Sequence, residues 1–218
     1  MDFEVLETEN FLFHCYRSDR DIIQEIANKV EESVMSVSLV FSAPQLPRKF
    51  DFYICPDVES FILLSGIPRD DYQNWMVGNT DWERGRVCVI SPRAVTDRTR
   101  ADMYRVMKHE AVHIVMNTIG RPESLPAWVS EGVAVLFADQ TDPELLDPQA
   151  APSLEELSAG DFAYNGGYRY SGTYVRHFLE LYGTDAFRRV YTGEESLEGY
   201  ITDGFEKEAV AEYKNRCK

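Results

Sequence analysis

The sequence predicts an α+β fold in which a small mixed or antiparallel sheet packs on one central helix and a mostly helical part follows. Two patterns carry that expectation. Segments with strand character all lie before Pro92, and helical periodicity dominates from Thr99 onward. No internal repeat or low-complexity stretch interrupts either part. Apolar residues make up 44% of the 218-residue chain, enough for one domain core, with a strand-rich part over 1–98 and a helical part over 99–218.

Phe11, Phe13 and Cys15 alternate with Leu12 and His14, which predicts a first strand over Asn10–Tyr16. A helix follows from Asp19 to about Leu39, because Ile22, Ile26, Val30 and Val34 recur every four residues and so share one face. The Pro-containing stretch Ser42–Arg48 reads as a loop, Lys49–Cys55 as a second strand and Val58–Leu64 as a short helix. Gly66–Gly85 is rich in Asp, Asn, Gly and Trp and reads as a loop. Its Trp75 and Trp82 suit either a specificity-setting rim or an ordinary packed surface loop. Arg86–Ser91 has the composition of a third strand, stopped by Pro92.

Thr99–Thr118 reads as one helix ending at Gly120, and Pro126 to about Asp139 as another with Pro126 in its first turn. After a linker rich in Pro and Asp come a short helix at Ser153–Leu157 and three more at Ser171–Tyr182, Asp185–Tyr191 and Phe205–Asn215.

The net charge of −15 makes nucleic acid and anionic membranes poor partners, since both demand neutralisation by Lys and Arg. Cationic peptides are attracted, although the same charge also serves plain solubility. Cys15, Cys55, Cys88 and Cys217 form no CxxC pair, so neither a cysteine zinc knuckle nor a dense disulfide framework is expected. One bridge is left open, but reduced, mostly buried thiols are the expected state and mildly favour a cytoplasmic setting. The start Met-Asp-Phe-Glu-Val shows no leader, and an exported domain with its leader removed is the alternative. The apolar runs are too short to span a membrane.

The chemistry concentrates in His109-Glu110-Ala111-Val112-His113, inside the predicted helix. Residues i and i+4 lie on one helix face about 5–6 Å apart, so two imidazoles can converge on one ion. Glu110 then lies beside the ion rather than on it, placed to act as a base toward water. The plain alternative is two core histidines satisfied by ordinary hydrogen bonds. Downstream, Glu131 is the single acidic residue in the apolar stretch Leu125–Ala134, where an isolated carboxylate would be costly to bury. A cation or an Arg partner would answer it. With the preceding motif, the metal-ligand reading is the stronger, and two His plus one Glu form an open, catalytic type of site.

His109-Glu110-x-x-His113, followed after 17 residues by Glu131 in Trp-Val-Ser-Glu-Gly, resembles the gluzincin peptidases, the thermolysin-like clan. Within it the chain is most similar to the peptidase MA-like domains, which share the Leu-Pro-x-Trp pattern of Leu125–Ala134. They also share a strand ending in Ser/Pro, here Val87–Pro92, and a Tyr-x-x-Ser segment, here Tyr168–Ser171, leading into a helix that ends at Tyr182-Gly183. The resemblance implies a zincin-like fold and a zinc metallopeptidase with one Zn2+ per chain, held by His109, His113 and Glu131. Glu110 would be its general base. It further implies that Val87–Ile90 is the upper edge of the cleft, where Val87, Cys88 and Val89 bind peptide backbone. Tyr168 would steady the oxyanion, with Tyr170 in reserve. His177 and His14 are assigned to structure. Neither Gly-x-Met-Glu-Asn nor Asn-Glu-x-x-x-Asp is present, so endopeptidase activity on peptide or protein substrates is expected rather than aminopeptidase activity. A hydrolase of non-peptide amides or esters and a peptidase-like domain with a binding or regulatory role are the alternatives.

Overall fold

The computed structural model describes residues 3–120, 125–159 and 162–217. Its strands are β1 (Glu4–Glu7), β2 (Phe11–Cys15), β3 (Phe50–Cys55), β4 (Gly78–Asp81) and β5 (Arg86–Ile90). They form one mixed sheet in the order β1-β2-β3-β5-β4. The inner pairs β2/β3 and β3/β5 are parallel, and the outer pairs β1/β2 and β5/β4 are antiparallel. The fold class is α+β. Seven α-helices are described: α1 (Arg20–Phe41), α2 (Val58–Ser65), α3 (Arg100–Ile119), α4 (Ala127–Phe137), α5 (Leu154–Ala159), α6 (Gly167–Tyr191) and α7 (Phe205–Arg216). The chain divides into two compact units, Met1–Ser38 with Pro44–Thr118, and Leu39–Ala43 with Ile119–Lys218.

In the first unit the alternation seen in the sequence becomes the sheet's core face. Phe11 and Phe13 of β2 pair in register with Phe50 and Phe52 of β3, and all four are buried. The Phe13 and Phe52 rings lie 4.9 Å apart. The helical stripe Ile22, Ile26, Val30 and Val34 of α1 is buried as well. On the other face His14 stacks on Tyr53 at 4.5 Å and bonds Asp51 at 2.7 Å, the structural role expected of it.

Helix α3 starts at a capping box. Thr99 and Asp102 bond reciprocally, with Thr99 N 3.1 Å from Asp102 Oδ2 and Asp102 N 3.2 Å from Thr99 Oγ1. Asp102 also meets Arg105 at 2.9 Å, so its work is at the helix end. Arg100 then reaches Asp21 at 3.2 Å and Glu25 at 3.0 Å, tying the first turn of α3 to α1. Near the start of α1, buried Asp19 accepts from Ser91 Oγ at 2.9 Å, which anchors the end of β5.

Two strands escaped the sequence reading. β4 lies inside the stretch expected to be loop, and β1 precedes the first expected strand. Gly78-Asn79-Thr80-Asp81 offers one β-branched residue and no apolar alternation, so backbone pairing with β5 holds it. β1 is mostly exposed and pairs only with β2. The helices expected at Ser171–Tyr182 and Asp185–Tyr191 are both present: the first begins earlier than expected, at Gly167, and the two make up α6, meeting at a kink at Gly183. There φ is 81° and ψ is 172°, a conformation that glycine alone adopts without strain.

In the second unit α4 lies closely on α6 because both carry glycine at the contact. A Cβ on Gly132 would stand 2.6 Å from the main-chain oxygen of Ser171, and one on Gly172 would stand 2.7 Å from Val135 Cγ1. Trp128, Tyr174 and Phe205 join α4, α6 and α7 in one buried aromatic cluster. Among the described residues no helix is long and apolar enough to cross a membrane.

Replacing Gly132 by Ala forces a methyl group against backbone that cannot swing aside, and costs about 1–3 kcal/mol. A lower urea midpoint at unchanged slope is the expected result. The thiols supply a second test. Burial, with the Asp19 carboxylate adding to it, pushes the Cys15 thiol from its ordinary 9.0 up to about 11. The folded chain therefore holds that proton more tightly than the unfolded chain. Its contribution is complete below pH 9 and is lost as pH rises toward 11. Urea midpoints are expected to fall over that window, and to fall less in C15A. At neutral pH a thiol reagent is expected to label exposed Cys217 alone, since Cys15, Cys55 and Cys88 are buried.

Candidate metal centre

Helix α3 presents His109, Glu110 and His113 from a segment whose buried residues include Met103, Met107, Ala111, Val112, Ile114 and Val115. His109 is 6% exposed and Glu110 8%. The i, i+4 spacing brings the two imidazoles together, with Nε2 atoms 3.1 Å apart and ring planes crossing at 78°. Two nitrogens bound tetrahedrally to one ion at zinc–nitrogen lengths would stand about 3.3 Å apart, so the imidazoles are already close to a ligand arrangement. Among the described residues, His109, His113 and Glu131 are a group that could hold a metal ion. Two imidazole nitrogens and one carboxylate oxygen are a donor set that suits zinc and related divalent ions.

Glu110 has partners of its own on β4. Thr80 Oγ1 lies 2.7 Å from Glu110 Oε2 and 3.0 Å from the Glu110 main-chain oxygen. A Cβ on Gly78 would come within 2.4 Å of Glu110 Oε1, so glycine leaves the room the carboxylate fills. Gly78 and Thr80 are two apart on the strand and therefore share a face. The sequence reading missed both, because a polar Gly-Asn-Thr-Asp run carries no strand signal.

Glu131 sits on α4, next to the glycine that sets the approach to α6. In the same unit, burial first and the Glu131 charge second hold the Tyr191 phenol above its ordinary pKa, so that hydroxyl stays neutral.

Several expected site residues have other placements. β5 is not an edge: β3 lies on one side of it and β4 on the other. Val87, Cys88 and Val89 are buried with their backbone committed to both neighbours, and the outer strand is β4. Tyr170 is 4% exposed and its hydroxyl meets the main chain of Asp147, 3.3 Å from the nitrogen, so it packs rather than faces a substrate. Tyr168 is in the first turn of α6, 38% exposed and edge-on to Phe162 at 5.0 Å. His177 is 3% exposed and bonds Glu212 at 3.0 Å, in keeping with a structural role. The Trp82 ring lies tilted against Phe50 at 5.1 Å, and Arg48 donates to the Trp82 carbonyl at 2.8 Å, so this part of the expected rim is packed.

Comparison with protein-family models and with curated proteins returned no match to this chain.

Tyr170→Phe is expected to lower stability by about 0.5–1.5 kcal/mol through loss of the contact with Asp147, without altering metal content. Denaturant unfolding beside metal analysis checks both halves, and lost metal at unchanged stability would contradict the packing role.

Proposed function

We propose that the chain is a zinc-dependent hydrolase of zincin-like, gluzincin type, acting as an endopeptidase on peptide or protein substrates. The observation that carries this reading is the convergence of the His109 and His113 imidazoles on α3, with the Glu110 carboxylate one residue along the same helix and Glu131 as the proposed third donor. The two imidazoles and the Glu131 carboxylate would hold the ion, and three protein donors would leave it open to water or substrate. When bound, zinc supplies Lewis acidity toward the scissile carbonyl and the attacking water. Glu110 takes the proton from that water as its oxygen attacks the carbonyl carbon. It then delivers the proton to the leaving nitrogen as the C–N bond breaks. The Tyr168 hydroxyl is the proposed donor to the oxyanion. An extended substrate would add along β4, the outer strand, rather than along β5. The charge of −15 favours cationic stretches in that substrate.

The deciding experiment measures zinc by plasma mass spectrometry beside hydrolysis of fluorescein-labelled casein. Wild type is expected to hold one zinc per chain and to cleave casein. H113A is expected to lose the metal, and E110Q to keep it while turnover falls by at least about 1,000-fold. No zinc after reconstitution at neutral pH would make the histidines structural and end the reading. Zinc retained with no hydrolysis of casein or of simple esters would move the chain to the binding domains.

A further inference from the structure

The geometry points to Thr80, with Gly78 beside it, as the positioning device for Glu110: the outer strand β4 clamps the carboxylate in one orientation. This rests on the role assigned to Glu110 above and goes beyond it. Three observations carry it. The Thr80 hydroxyl is 2.7 Å from Oε2 and within reach of the Glu110 carbonyl, so it meets that residue twice, at side chain and main chain. The other carboxylate oxygen lies where a Cβ on Gly78 would be, 2.4 Å away, with Cδ at 2.9 Å. Gly78 and Thr80 pair in register with Val89 and Val87, which are fully buried, so the inward face of β4 is fixed by the sheet.

The arrangement matters because a glutamate has three rotatable bonds, and a base must be held where proton transfer occurs. A hydrogen bond from a neutral donor to an ionised carboxylate is among the stronger kinds, and shielding from water increases its effect. Gly78 is also not explained by its own backbone, since its φ is not in the left-handed region. What glycine provides there is space for the carboxylate. The strand has poor intrinsic propensity, yet it is held against β5 over its whole length.

The test compares two variants with opposite losses. T80V keeps the side-chain shape and removes the hydroxyl, whereas T80S keeps the hydroxyl and removes the methyl group. With labelled casein, T80V is expected to lose about 10- to 100-fold in kcat, with KM within twofold and zinc content unchanged. T80S is expected to recover to within about threefold of wild type. A packing role predicts the reverse order, so T80V equal to wild type, or T80S as poor as T80V, overturns the clamp. G78A is the companion variant, and full kcat in it would also overturn the proposal. Crystal structures of the same variants give a readout that needs no turnover. The Glu110 carboxylate should keep one orientation in T80S and leave β4 in T80V; an unmoved Glu110 in T80V overturns the clamp. If wild type fails to cleave casein, the peptidase reading fails alone, and the crystals still decide the clamp.

Discussion

The burial of ionisable side chains on α3 is the constraint to which the rest of the first unit answers. The buried face of that helix is mostly apolar, and a carboxylate without partners in such surroundings would be costly. Glu110 remains because a hydroxyl reaches it and because one glycine leaves it room. His109 remains buried with His113 at hydrogen-bonding distance. These contacts require α3 to keep its position along β4 and its rotation about its own axis. The reciprocal cap of Thr99 and Asp102 and the bridges from Arg100 to α1 meet that requirement at the helix start. Asp19, bonded to Ser91, fixes the end of β5 against the start of α1 in the same unit.

A comparable logic governs the second unit at a different scale. The close approach of α4 to α6 is decided by Gly132 and Gly172, and the residue before Gly132 is Glu131. The backbone that carries the third candidate ligand is therefore pressed against Ser171 and supported by the Trp128, Tyr174 and Phe205 cluster. A side chain on so constrained a backbone has few positions available, which is what a ligand needs.

Legibility followed side-chain pattern and failed where backbone pairing alone decided. The Phe11/Phe13 alternation, the four-residue stripe of α1 and the i, i+4 histidines each state a period, and each is found in the structure. β4 states none. Its place is fixed by hydrogen bonds to β5 through a tight turn closed at Gly85, where φ is +70°, and by the contact of Thr80 with Glu110. That omission produced the error about β5. A strand whose neighbour goes unrecognised is taken for an edge, so Val87, Cys88 and Val89 were expected to meet substrate when they are core. The placement of Tyr170 is not legible in the sequence for a similar reason. A tyrosine near a helix start has no periodic signature separating a hydroxyl spent on Asp147 from one facing solvent.

The partners of Glu110 also bear on whether the candidate centre is built for chemistry or for stability. A structural zinc site is closed by four protein donors and has no use for a fifth polar group beside them. Among the described residues the candidate donors number three, and the adjacent carboxylate is buried by an arrangement whose net contribution to stability is small. A hydrogen bond to a carboxylate contributes about 1.5–3 kcal/mol, and removing that charge from water costs a similar amount or more. An alanine at 110 beside a longer aliphatic residue at 80 would fill the same space with no charge to answer. Selection for stability alone gives no reason to hold an ionisable group there, or to forgo a side chain at position 78 in order to seat it. On the proposed function, a base that must be oriented before substrate arrives would supply that reason.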